Sequence, residues 1–466
     1  MGGYYNENGD DRMINSILEL CKKREPMPQL SVEERIDNFD EVEFGYSDEK
    51  VRSEASRCLQ CEEPPCVEAC PAHLNIKKYV FEAREGRYRD ALGTILEGLP
   101  LPATCGRVCP HPCEDACVRY THFDPISIRG IKRFIADQFM EQDWYPKVET
   151  RMEERIAVVG SGPAGLTVAR NLALLGYRVT IFDSSPNLGG MIAQSIPHYR
   201  LPPQFPKKEI EEIKKLGVEF QKGTLGKDFT LNSLFDQGYK AIFVGIGTHK
   251  GMKMNIPGED LEGVHEALDL LRDIKLGKAL PQFEGKRAIV VGGGNVAMDA
   301  VRSIRRLGAD VTLVYRRSWE EMPAGKEEVQ EAREEGIEFK ILTNPTRILG
   351  NGRVEGLECI RMELGEPDAS GRRRPIDIEG SEFIIPSDFF IEAIGEGPES
   401  ESLKSMGVEV DRRGLVKFDD NMNTNVEGVF AAGDLVSGPA TVIEAVAGGL
   451  RAAESIDEYL KTKRGR

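Results

Sequence analysis

The spacing of apolar residues changes character at Arg155. Upstream, apolar positions recur at helical intervals within polar, charged sequence. Short patches lie at Met13–Lys22 and Asp48–Cys58, two amphipathic segments at Ile76–Glu85 and Arg87–Leu96 are parted by Gly86, and Ile126–Met140 follows Asp124-Pro125. Downstream, short apolar runs end in glycine. Ile-Ala-Val-Val at 156–159 leads through a helix to about Leu175, Gly176 stops it, and a second strand, Arg178–Phe182, ends at Asp183, which makes a β-α-β unit. Arg287–Val291, Gly292–Leu307 and Asp310–Tyr315 repeat the arrangement. Two further apolar strands, Lys240–Gly247 and Asp388–Gly395, bracket the second unit, and the chain closes through Gly428–Asp434 and a helix after Thr441.

This pattern predicts an α/β protein with a helical region in front. The expected divisions are a helical domain over 1–150, a first Rossmann-like domain split between 151–254 and 391–466, and a second Rossmann-like domain over 255–390 inserted in it. A length of 466 residues agrees with about three domains. The net charge of −16 excludes nucleic acid as a partner, since no basic surplus neutralises phosphates. It is compatible with docking onto a basic patch of another protein. The N-terminus has no positive segment or apolar core, and no run of ~18 apolar residues occurs, so neither a signal peptide nor membrane insertion is expected. The expected location is cytoplasmic, where ten cysteines are reduced thiols or metal ligands rather than disulfides.

Both β-α-β units turn on glycine, at Gly160-Ser-Gly-Pro-Ala-Gly165 and Gly292-Gly-Gly-Asn-Val-Ala297. Gly160 permits the tight turn, Gly162 lets backbone approach a pyrophosphate at the helix N-terminus, and Gly165 allows close helix packing. Asp183 ends the second strand, where a carboxylate accepts hydrogen bonds from ribose hydroxyls. The second unit has Tyr315-Arg316-Arg317 at that place; guanidinium groups suit a 2′-phosphate and favour NADP(H), the alternative being two arginines on a solvated loop. Gly433-Asp434 returns to the first domain, so the first loop is expected to hold FAD and the second the nicotinamide nucleotide. Hydride passes directly between nicotinamide and flavin, and no catalytic side chain is expected.

Eight cysteines form two blocks, Cys58-x2-Cys61-x4-Cys66-x3-Cys70-Pro71 and Cys105-x3-Cys109-x3-Cys113-x3-Cys117. The first resembles a ferredoxin run widened by two residues, in which the cysteine before proline serves the other cluster. In the second, Pro110 and Pro112 break the helix that four-residue spacing suggests, so the segment wraps around something. Two 4Fe-4S clusters are expected, with zinc as the alternative. Cys21 and Cys359 are isolated structural thiols, and the six histidines are read as surface or loop residues.

Arg57-Cys-Leu-Gln-Cys61, Cys70-Pro71, Gly106-Arg-Val-Cys-Pro110, Ile196-Pro-His-Tyr-Arg-Leu-Pro202, Tyr315-Arg-Arg317 and Ala432-Gly-Asp434, with the first glycine loop, together resemble the glutamate synthase small-subunit family. Its relatives include the large subunit of NADH-dependent ferredoxin:NADP oxidoreductase and the N-terminal half of dihydropyrimidine dehydrogenase. The resemblance implies FAD at Gly160, Gly162, Ala164, Asp183, Gly190, Arg200, Gly433, Asp434 and Thr441, and NADP(H) at Gly292, Gly294, Asn295, Ala297, Arg316 and Arg317. It implies one cluster on Cys58, Cys61, Cys66 and Cys117. The other takes Cys70, Cys109, Cys113 and a Glu or Gln, where this chain has Lys132; Cys105 is the preferred replacement. The expected function is an NADPH-dependent FAD and iron–sulfur oxidoreductase subunit serving a redox partner with its own flavin, iron–sulfur or metal site. The alternative is the NAD(P)-linked subunit of an electron-bifurcating ferredoxin, formate dehydrogenase or hydrogenase complex. A stand-alone disulfide reductase would need a cysteine pair near the flavin, and only Cys359 follows Cys117.

Overall fold

The computed structural model describes residues 23–148, 152–368 and 370–465. Met13–Lys22 and Cys21 lie outside the described residues.

Upstream of Arg155 the expected helices form at Asp48–Ser56, Ile76–Arg84, Tyr88–Gly98 and Ile128–Asp137. Their starts have local causes: Ser47 and Asn75 cap the first two by accepting the Lys50 and Lys78 amides. A further helix, Pro102–Val108, carries Cys105 and was not legible in the pattern. It crosses Ile128–Asp137 closely at Gly106, where a Cβ would stand 2.7 Å from the Arg133 Cα. The prolines then act as expected. The chain leaves the helix at Cys109, turns through His111 at φ 43°, and re-enters a short helix, Pro112–Asp115.

Two parallel five-stranded sheets follow. The first has the order Val429–Ala431, Tyr239–Val244, Arg155–Val159, Arg178–Asp183, Glu219–Lys222, and the second Val264–Glu266, Phe389–Glu392, Arg287–Val291, Asp310–Tyr315, Glu338–Ile341. Their central strands are almost wholly apolar and buried, as strands covered on both faces must be. Phe389–Glu392 pairs in parallel with Arg287–Val291, so the division expected at 390 falls inside a strand of the second sheet and shifts beyond Glu392. The chain crosses between the sheets twice, and the crossings Lys250–Gly251 and Glu396–Gly397 lie antiparallel to each other. An antiparallel sheet of Thr343–Gly350, Val354–Pro367, Arg373–Asp377 and Phe383–Pro386, not foreseen from the sequence, extends the second domain. Cys359 is fully buried on it. His265 stands within a strand beside the Phe389 ring rather than on a loop.

One continuous apolar core joins the helical region to the first sheet's helices, from Tyr46 and Leu92 through Leu172 to Leu460. At this seam, Glu209 of helix Gln204–Lys215 is fully buried. It accepts the Ala103 and Thr104 amides at 2.7 and 3.0 Å and the Thr104 hydroxyl, closing the N-terminus of the helix that carries Cys105. Burial pushes the Glu209 carboxyl up to about 7 despite these donors. Glu209→Ala leaves two buried amides without an acceptor and is expected to cost about 2–4 kcal/mol. Urea unfolding should show the loss, and hydrogen exchange should locate it at the amides of Ala103 and Thr104.

Candidate cluster and nucleotide sites

The cysteines separate into two groups by position. Cys58, Cys61, Cys66 and Cys117 line one cavity with Leu59, Ile76, Val80 and Ile126. Burial pushes the Cys66 thiol up to about 11, and the facing thiols of Cys58, Cys117 and Cys61 add to it. Burial raises Cys58 likewise, with Cys117 and Cys61 contributing. The second group, Cys70, Cys105, Cys109 and Cys113, is deeper; each residue is buried and Cys105 is 0% exposed. Burial raises Cys105 and Cys113 well above the ordinary thiol range, while Lys132 pulls both back down. Lys132 itself is 4% exposed. Burial disfavours its ammonium, but the thiols of Cys109, Cys105, Cys113 and Cys70 outweigh that and raise its pKa.

These environments test whether iron fits. Four thiolates crowded in a low-dielectric pocket repel one another and persist only around a compensating positive body. The first four thiols line one cavity and make a donor set that suits a four-iron cluster.

The glycine loops repeat one device. Gly160 has φ +104° and Gly292 φ +151°, and a Cβ on either would collide with a backbone carbonyl at the crossing, that of Gly245 or Ala393. Gly162 and Gly294, the N-caps of helices Pro163–Leu174 and Asn295–Arg306, face open space on their Cβ side. Each loop therefore offers a bare helix N-terminus to an anion. Gly165 packs on the Gly160 carbonyl and the buried Ala297 takes its place in the second loop. Gly190 closes against Gly162, where a Cβ would lie 3.0 Å from the Gly162 Cα.

The C-terminal segment reaches the first loop as expected. Helix Val442–Arg464 lies against Pro163–Leu174 through Gly449, whose Cβ would stand 2.7 Å from the Ala164 carbonyl oxygen. Gly433 also sits against Ala164. Burial raises the Asp434 carboxyl to about 6, and Thr441 caps the helix in a reciprocal box with Glu444. Asp183 accepts the Ser161 amide and hydroxyl at 2.7 and 2.6 Å and the Ser185 amide at 2.8 Å. The role of Ser161, which also accepts the Gly189 amide, was not anticipated. Asn295 accepts the Gly325 amide at 3.0 Å, drawing the loop after Arg317 over the second glycine turn.

Two arginines depart from expectation. Arg200 was expected at the flavin, yet its guanidinium pairs with Asp299 at 2.7 Å and Glu328 at 2.9 Å, both on the nicotinamide side. Arg317 was expected at a 2′-phosphate, yet it is 5% exposed and pairs with Asp368 while donating to the Arg373 carbonyl, both at 2.8 Å. In both cases a carboxylate or carbonyl from another element fixes the guanidinium group and, among the described residues, leaves some of its N–H donors uncommitted. Arg316 is exposed. Lys275, unremarked in the sequence, donates to the Ile196 and Leu201 carbonyls and fixes the loop that carries Arg200. Burial lowers its pKa to about 7.

Residues 154–449 match the pyridine nucleotide-disulphide oxidoreductase family, and residues 35–144 match dihydropyrimidine dehydrogenase domain II, 4Fe-4S cluster. The glutamate synthase [NADPH] small chain of Escherichia coli is 37% identical over 96% of this chain and 99% of its own length. The chain belongs to the glutamate synthase small-subunit family. As a member it is a flavin-dependent NAD(P)H oxidoreductase with an N-terminal iron–sulfur domain. The NADPH-Fe(3+) oxidoreductase subunit beta of Geobacter sulfurreducens is 40% identical over 97% of this chain and 71% of that protein. The NADP(+)-dependent formate dehydrogenase subunit beta of Moorella thermoacetica is 43% identical over 85% of this chain, which spans only 60% of that protein. The solved structure of Mycobacterium tuberculosis FprA in complex with NADPH shares the fold, with a TM-score of 0.59 at 20% identity over 67% of this chain and 86% of its own. The disulfide chemistry in the broader family's name has no cysteine pair here, since only Cys359 follows Cys117. Among the described residues no helix is long and apolar enough to cross a membrane.

The open glycines allow each loop to be tested alone. A Cβ added at Gly162 or Gly294 meets nothing within 4 Å, so Gly162→Val and Gly294→Val are expected to fold. Gly162→Val is expected to lose bound FAD, seen as loss of the visible flavin bands. Gly294→Val should keep its flavin yet bleach at least about tenfold more slowly with NADPH, because the side chain fills the pyrophosphate's place.

Proposed function

We propose that this chain is the NADP(H)-linked electron-transfer subunit of a larger cytoplasmic complex, exchanging electrons with a partner subunit that holds its own flavin, iron–sulfur or metal centre. The observation that carries the reading is the union of seven of the eight clustered thiols, all but Cys61, and the helix of the first glycine loop on a single apolar core. Bound there, FAD would supply hydride acceptance from NADPH, and the clusters would supply single-electron steps. The chain's residues bind and orient. Gly160, Gly162, Ala164, Asp183, Gly190, Gly433, Asp434 and Thr441 hold FAD, and Gly292, Gly294, Asn295, Ala297 and Arg316 hold NADP(H). Cys58, Cys61, Cys66 and Cys117 hold one cluster. Cys70, Cys105, Cys109 and Cys113 hold the other, with Lys132 as an adjacent buried cation rather than a ligand. The 43% identity to a formate dehydrogenase subunit favours a second reading, in which the partner oxidises formate and electrons flow toward NADP+.

Iron and acid-labile sulfide, measured on anaerobically purified protein, test the assignment. The native chain is expected to carry two clusters' worth of both, and Cys359→Ser the same. Cys105→Ser should lose or reshape one cluster's EPR signal, whereas Lys132→Met should retain the full iron content. Full iron and an unchanged spectrum in Cys105→Ser would remove Cys105 from the ligand set. Identifying by mass spectrometry what copurifies with the chain separates the two partner readings.

A further inference from the structure

The nicotinamide domain brings more arginine to the end of strand Asp310–Tyr315 than the two sequence-adjacent ones. The hairpin joining Val354–Pro367 to Arg373–Asp377 folds back over this strand end. Arg317 holds it there through the Asp368 carboxylate and the Arg373 carbonyl. Within the hairpin, the Asp368 amide donates to the Arg372 carbonyl at 2.7 Å and the Gly371 amide to the Asp368 carbonyl at 2.9 Å, which fixes the turn carrying Arg372.

The charges there are sorted. Arg317 pairs with Asp368, and Arg373 with Glu321. Among the described residues neither Arg316 nor Arg372 forms an ion pair, and the Arg372 Nε donates only to the neutral Ser370 hydroxyl at 3.1 Å. Partial desolvation and then the Arg317 and Arg372 guanidinium groups press the Arg316 pKa below its ordinary value; burial raises the Tyr315 phenol, and Arg317, Arg372 and Arg316 oppose it. The Tyr315 ring covers Gly293 of the glycine loop, and its hydroxyl donates to the Glu321 carbonyl at 2.7 Å. Two cations without carboxylates thus flank the strand end where a dinucleotide's adenosine ribose lies.

We propose that Arg372, delivered by the inserted hairpin, joins Arg316 in binding the 2′-phosphate of NADP(H), and that Arg317 is the positioning residue holding the hairpin in reach. The inference rests on NADP(H) binding at the second glycine loop and adds the residue that makes the site phosphate-selective. Two guanidinium forks can engage a phosphate from two sides, which a lone exposed Arg316 cannot.

The test uses the flavin-loaded chain and two readouts. One is the ratio of kcat/KM for NADPH over NADH with an artificial electron acceptor. The other is competitive inhibition by 2′,5′-ADP relative to 5′-AMP. Arg372→Ala is expected to lower the ratio at least about tenfold through the KM for NADPH, and to weaken 2′,5′-ADP by a similar factor with little effect on 5′-AMP. Arg372→Lys, which keeps the charge and loses the fork, should fall between. Asp368→Asn, which frees the hairpin from Arg317, should also lower the ratio while kcat holds. Unchanged ratio and inhibition in Arg372→Ala would overturn the proposal, as would equal weakening of both inhibitors. Native protein that does not prefer NADPH would instead overturn the underlying NADP(H) reading, before any variant is compared.

Discussion

A single apolar core binds the cysteine-bearing helices to the flavin domain, and the relay depends on that union. Single-electron transfer needs donor and acceptor at a fixed separation, and shared packing fixes it better than exposed ion pairs can. Gly106 and Glu209 mark two close contacts that hold the Cys105 helix in place. The first brings the Cys105 helix against the helix of Lys132, and the second ties its N-terminus across about a hundred residues of sequence to the flavin side.

The nicotinamide domain is attached differently. Its own core, centred on Val290, Val301 and Leu313, is separate. It meets the rest through two adjacent crossings and through charge: Arg35 to Glu334 and Glu335, Arg129 to Glu327, and Arg200 to Asp299 and Glu328. Arg302 and Arg306 gather on Glu335 beneath this surface, so the interface rests on a buried, mutually compensating lattice. The two halves of the molecule thus serve different demands: one keeps electron carriers at constant distance, the other receives a nucleotide that must come and go.

The sequence disclosed what short-range pattern encodes. Both β-α-β units were legible because apolar runs ending in glycine leave few alternatives, and the thiols were legible because spacing and proline betray a chain that wraps. Contacts between distant segments were hidden. Nothing near Glu209 announces that it caps a helix at Pro102, and the place of Lys132 among the thiols was legible only through the family resemblance. Arg200 and Arg317 show the same limit from another side. Sequence supplied their charge and approximate place, while the carboxylates that claim them, Asp299, Glu328 and Asp368, arrive from other elements. The antiparallel sheet escaped notice because its strands are partly exposed and carry weak apolar alternation.

The most direct test of the relay is anaerobic mixing of the intact chain with excess NADPH, followed by visible absorbance and rapid-freeze EPR on the same time axis. The account predicts that flavin absorbance bleaches and that signals of reduced 4Fe-4S clusters then grow, limited by cluster potential rather than by contact. Bleached flavin with no iron signal, even when a low-potential reductant shows the clusters to be present and reducible, would contradict it.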